Sequence, residues 1–176
     1  MELASSRDLD VTLRRVAELA VPVLADWCTV ALVDDAADTR GALRTLALAH
    51  VDPGKTSSAQ ELERRYPPDP EHSAAYRVLA TGRSELVAHI TDEQVAATAT
   101  DADHARLLAT IGPLRSIMLV PMTARETVLG VLTLVSSSED RTFGPDDLAL
   151  AEDLARRAAL AVETARLLRD VTSRSS

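Results

Sequence analysis

Apolar residues recur at helical spacing near the start of the chain, at Leu9, Leu13, Val16, Leu19 and Leu24, with Arg14, Arg15 and Glu18 between them. The spacing predicts an amphipathic helix over residues 7–25, which Pro22 bends or ends. The period then changes. Trp27 to Val33 is a compact run of strand formers stopped by the polar turn Asp34 to Gly41, and Leu43 to Val51 is a second run closed by Asp52-Pro53-Gly54. Together they predict a hairpin. Helical pattern returns at 56–66 and 73–81, separated by Pro67-Pro68-Asp69-Pro70, which no helix crosses, and Gly82 caps the second stretch. Ser84 to Ile90 reads as a short strand. Asp92 and Asp101 stand where N-caps open two further helices, the second ending at Ile111 before Gly112-Pro113.

The last third is the most strongly patterned. Arg115 to Thr123 and Thr127 to Ser136 are two nearly continuous apolar runs joined by a tight turn. Runs of that kind, without strict alternation, predict a sheet covered on both faces. From Asp146 or Asp147 a helix is predicted to residue 171, about 25 residues or about 37 Å long. Along it Ala151, Leu154, Ala158, Ala161, Ala165 and Leu168 repeat in alternating steps of three and four, a heptad seam of small residues that admits a closely packed partner helix.

Composition narrows the function classes. With 46% hydrophobic residues over 176 positions, the chain can bury the core of one domain, but only 2% are aromatic. Recognition of bases by stacking therefore has few platforms. A formal net charge of -8 repels polyanions, and the arginines fall in scattered pairs that read as solvated helix faces, so neither nucleic acid nor a membrane surface is an expected partner. No apolar run is long enough to span a bilayer, and the lone Cys28 fits a reducing cytoplasm. Helical pattern close to the first residue and the polar tail Thr172 to Ser176 are what a domain cut from a longer protein would show.

Few residues carry catalytic chemistry. Gly54-Lys55-Thr56 lies between a strand and a helix, but a phosphate loop needs a glycine five residues before Gly54, where the chain has Ala49. Asp69 with Glu71 and His72, and Asp101 with Asp103 and His104, have the atoms for a divalent metal; equally, Asp101 reads as a helix cap and the first group as a proline-bounded loop. The four histidines, His50, His72, His89 and His104, raise haem ligation, yet no haem-attachment motif accompanies them. Cys28 in an apolar strand reads as an inert buried thiol, and no nucleophile elbow is present.

The order of elements, with Ser116-x-Met118-x-Val120-Pro121, Gly130-Val-Leu-Thr-Leu134 and Phe143-Gly-Pro-Asp-Asp147-Leu-x-Leu-Ala-Glu152, resembles the GAF domain, a small-molecule sensing module of bacterial signalling proteins. The resemblance implies an α+β, profilin-like fold like that of GAF and PAS domains: six antiparallel strands, terminal helices on one face and inserted helices 56–111 roofing the other. It implies a single sensory domain over 1–176, a homodimer through the terminal helices, and a covalently linked output domain such as a histidine kinase or a metal-dependent serine phosphatase. The branches that bind cyclic nucleotide are disfavoured, because Leu148 stands where their signature has Glu and the chain lacks asparagine. Covalent bilin is disfavoured because Cys28 lies in the first strand and precedes Thr29 rather than His. Ligand-binding positions are expected at Tyr76, His89, His104, Leu108, Ser116 and Met118 in the roof, and at Thr29 and Thr133 on the sheet. A ligand-free dimerisation scaffold and a small metal-assisted hydrolase are the alternatives.

Overall fold

The computed structural model describes residues 2–33 and 41–175. Helix α1 (Glu2–Ala20) leads into β1 (Trp27–Val33) and β2 (Leu43–His50). A single turn of 3₁₀ helix at Pro53–Lys55 opens α2 (Thr56–Arg65), followed by α3 (Ala74–Thr81), the short β3 (Glu85–Val87), α4 (Asp92–Thr98) and α5 (Ala102–Ile111). The hairpin of β4 (Ser116–Ala124) and β5 (Thr127–Ser136) then precedes α6 (Pro145–Ser175). The polar turn expected between the first two strands lies outside the described residues, apart from Gly41.

The strands form one antiparallel sheet in the order β2-β1-β5-β4-β3. Five strands are described where the resemblance implies six. The chain after β2 forms α2 because its apolar positions Ala59, Leu62 and Tyr66 carry helical spacing, and burying them on the sheet favours a helix over a further strand. Residues paired across strands share a face, so the register sorts every strand into two sides. Cys28, Val30, Leu132, Leu134, Met118 and Val120 face one way and pack against Leu13, Ala17, Ala155, Ala158 and Val162 of α1 and α6. Trp27, Thr29, Thr133, Val135, Ile117 and Leu119 face the other way, toward α2, α3 and α5.

Local chemistry sets the element ends. Ser73 caps α3 by accepting from the Tyr76 amide, and Gly82 ends that helix with φ 68, a left-handed conformation that glycine adopts without strain. Asp101 caps α5 as expected, accepting from His104 N at 2.8 Å. For α4 the cap is Thr91 rather than Asp92: Thr91 and Gln94 form a reciprocal capping box, which leaves Asp92 in the first turn beside the positive end of the helix dipole. The β4–β5 turn places Arg125 and Glu126 at φ 51 and φ 65, the left-handed pair of a tight hairpin turn. At the start of α6, Asp147 accepts from Gly144 N at 2.9 Å and Phe143 is 1% exposed in the core. The Phe143-Gly-Pro-Asp-Asp147 motif is thus an anchor and a cap.

Helix α6 has 31 residues, longer at both ends than the span expected from the sequence. One face of it is covered as far as Val162: Ala151, Ala155, Ala158, Ala159 and Val162 are 0% exposed, small side chains that let the helix lie close on the sheet and on α1. Outside that face Leu150 and Leu160 are 61% and 59% exposed, and beyond Val162 none of the described side chains is buried, with Leu167 46% exposed.

Candidate functional site

The roof is two packed patches with a shared centre. Trp27, Val135, Ala59, Leu62 and Ile111 form one with Leu107 and Leu108, and Val78, Leu119 and Val131 form the other; Ile117 touches both. Thr29 and Thr133, directly opposite each other in the β1–β5 register, lie on this roof-side face. Tyr76 reaches from α3 to the start of β2, where its hydroxyl accepts from Leu43 N at 2.8 Å. His104 stacks on Tyr66, ring centroids 4.1 Å apart and nearly parallel, while Tyr66 donates to Asp101 at 2.7 Å. The amide of His104 and, after it, that bond lower the pKa of the Asp101 carboxyl.

Three of the expected site positions sit elsewhere. Met118 and Ser116 face the terminal helices, because β4 is buried on both sides and its apolar run contains no alternation to reveal which residues point which way. Ser116 is 0% exposed; its hydroxyl donates to Val87 O at 3.2 Å and accepts from Phe143 N at 3.1 Å. It therefore joins β3 to the entry of α6. A second bond of this kind runs from Ser84 Oγ to Glu152 Oε2 at 2.9 Å. His89 is exposed at the surface and lines none of the described grooves.

The two Asp/His groups are separate local motifs. Asp69 accepts from Glu71 N and pairs with His72 Nδ1 at 2.7 Å within one exposed turn. Asp101 and His104 belong to the α5 cap. Among the described residues no group of three His, Cys, Asp or Glu side chains converges as a metal site. Burial pushes the Cys28 thiol up to about 12, which keeps it in the protonated, poorly nucleophilic form at neutral pH. In the loop after β2 the Asp52 carboxylate accepts from Gly54 N at 2.9 Å, which ties up an amide that a phosphate would need. Lys55 instead rests its ammonium against Gly112 at the C-terminal end of α5, where the helix dipole favours a cation.

Sequence reasoning missed two charged residues. Glu63 lines a groove of about 370 Å³ between β2, α2 and Pro67-Pro68, and accepts from Thr45 Oγ1 at 3.2 Å. Burial raises its pKa, and the Thr45 bond only partly opposes this. Its place one turn after the buried Ala59 was the available signal. Arg115 closes the end of a second groove, of about 380 Å³, between α4 and α5, which Leu108 also lines.

A third groove, about 350 Å³, runs along α1 and α6 between Leu9, Thr12, Leu160, Ala161, Ala165 and Leu168. The expected heptad seam is divided by it. Ala151 and Ala158 are buried within the chain's own core, Leu154 packs half-buried at the edge of the same core, and Ala161, Ala165 and Leu168 line the open groove. The physical reason is that small residues serve a sheet face as well as they serve a partner helix.

A sheet with chain-end helices behind it and an inserted helical roof before it agrees with the family model for the GAF domain, which matches residues 8–162. The chain belongs to the GAF domain family. Solved GAF domains share its fold at low identity. One is the GAF domain region of a putative membrane protein from Geobacter sulfurreducens, with TM-score 0.66 and 20% identity over 92% of this chain and 97% of that one. The GAF-B domain of DevS from Mycobacterium smegmatis gives TM-score 0.64 and 19% identity over 93% and 98%. The blue-light absorbing form of the PixJ GAF domain from Thermosynechococcus elongatus gives 0.64 and 18% over 97% and 94%. No curated protein matches the chain. GAF domains are in general regulatory sensors rather than enzymes, and no helix among the described residues of this one is long and apolar enough to cross a membrane.

Proposed function

We propose that this GAF domain is the regulatory module of a cytoplasmic signal-transduction protein, that it binds a small molecule through its roof, and that it relays binding through paired terminal helices to a covalently linked output domain. A histidine kinase or a metal-dependent serine phosphatase is the output class the reading favours. The observation that carries it is the division of α6: one continuous helix is core on one face as far as Val162, presents Leu160 and Leu167 to solvent, and runs on to Ser175. A rigid rod anchored in the sensor and uncovered beyond it transmits a rotation or a register shift, provided a ligand has different affinities for the two arrangements. Ser116 and Ser84 supply the contacts by which the edge strand β3 and the turn before it bear on that rod.

Sedimentation velocity of the chain tests the pairing. A dimer that becomes a folded monomer in Leu160→Glu/Leu167→Glu, with the circular dichroism spectrum retained, is the expected result; a monomer across the accessible concentration range overturns it. A ligand-free dimerisation scaffold is the second reading, favoured by Ile117, which fills the sheet centre between the two roof patches. Native mass spectrometry separates the two, since a sensor retains a stoichiometric small molecule and a scaffold does not.

A further inference from the structure

The α4–α5 groove is used neither by the α6 anchor nor by the pairing face. Its walls are Val95 and Ala96 from α4 and Leu108 and Ala109 from α5, with Pro113 and Leu114 as floor. At about 380 Å³ it lies at the small end of the range of organic-ligand pockets, and like them it is apolar with polar groups at one end. Those groups are Arg115 and Asp92, paired at 2.8 Å.

The pair is lopsided. The Arg115 side chain is 25% exposed, whereas its two acidic partners, Asp92 and Glu139, are 80% and 86% exposed, the latter only at 4.0 Å. The backbone of Arg115 is pinned on both sides, donating to Ser136 O and accepting from Ile90 N, each at 2.8 Å. A mostly covered guanidinium on this pinned backbone gains little from solvated carboxylates, because water screens the pair and ordering an exposed side chain costs entropy. A carboxylate delivered from the apolar side meets the same planar fork with less competition from water. One guanidinium on a chain of net charge -8 selects a monoanion over a phosphate dianion.

We propose that this groove binds a small monocarboxylic acid, its apolar body between α4 and α5 and its carboxylate replacing Asp92 on Arg115. This rests on the sensory reading and gives it a ligand class. The test uses the whole chain at pH 7 and constant ionic strength, with hexanoate, hexanol and hexylamine as probes and amide resonances as the readout. Hexanoate is expected to shift Val95, Leu108, Ala109 and Leu114 and to bind at least about tenfold more tightly than hexanol, a difference of about 1.4 kcal/mol. Arg115→Met should bring hexanoate down to the level of hexanol, and Ala109→Phe should block both; the same spectra report whether each variant is folded. Should Arg115→Met not fold, Arg115→Lys, which keeps the charge and loses the fork, is expected to fall between. Unmoved groove resonances, equal binding of acid and alcohol, or an undiminished acid preference in the Arg115 variant each overturn the proposal. Failure here with an intact dimer leaves the regulatory reading standing, whereas a monomeric chain that binds hexanoate overturns the pairing alone.

Discussion

Replacing Ser116 by Ala removes a single oxygen and leaves two groups without their partner. The Phe143 N–H loses its acceptor at 3.1 Å beside a residue only 1% exposed, and orphaning a buried donor costs about 1–3 kcal/mol. The Val87 carbonyl also loses a donor, but Val87 is 41% exposed and water can replace it, so this part is confined to about 0.5–1 kcal/mol. The methyl group fills nearly the volume of the hydroxymethyl, so a cavity adds little. The expected loss is about 1.5–4 kcal/mol, or a fall in melting temperature of about 3–16 °C for a chain of this size. Urea unfolding followed by circular dichroism measures the first, and hydrogen exchange at the Phe143 amide reports the local release of the α6 entry. Ser84→Ala, which breaks a part-buried bond to Glu152, provides a milder reference. A loss below about 0.5 kcal/mol in Ser116→Ala, with the Phe143 amide still protected, would show that the serine does not join β3 to α6.

Gly130→Ala should be among the most damaging single substitutions. An added Cβ would lie 2.2 Å from Ala31 O, a backbone atom that cannot rotate away, so a loss at or above the usual overpacking cost of about 1–3 kcal/mol is expected; Gly144→Ala, with nothing within 4 Å, is the control, and equal stabilities of the two variants would refute the argument. Glu63→Gln tests the half-buried carboxylate. Because its folded pKa is raised, the folded state takes up the proton more readily than the unfolded chain, so Glu63 supports stability below the unfolded value of about 4.3 and loses that support as pH rises through the folded value. The variant is therefore expected to be more stable than the parent at pH 7 and to lose its advantage near pH 4; melting curves at the two pH values decide it, and a variant less stable at pH 7 would contradict the sign.

The elements themselves were legible in the order of residues. Local rules place them: helical spacing of Leu9, Leu13 and Val16, the proline-broken loop after α2, the apolar runs of β4 and β5, and the Asp101 cap all act within a few residues of chain. Family membership was legible too, because the Phe143-Gly-Pro-Asp-Asp147 anchor and the strand motifs are contiguous. Helical faces beside a sheet were not. Met118 and Thr133 sit in runs covered on both sides, where no alternation of polar and apolar residues marks the face, and only the pairing of Met118 with Leu134 and of Thr29 with Thr133 sends them to opposite layers. The seam on α6 was ambiguous for a related reason. Ala151 and Ala158 are small enough to meet either a partner helix or their own sheet, and the sheet claims them because it lies within the same chain. Local sequence, then, determined which segments are helix and strand and where they stop. Tertiary structure alone decided which side each residue serves and brought Arg115, Leu108 and Val95 to one groove, because facing depends on pairing between segments far apart in the chain.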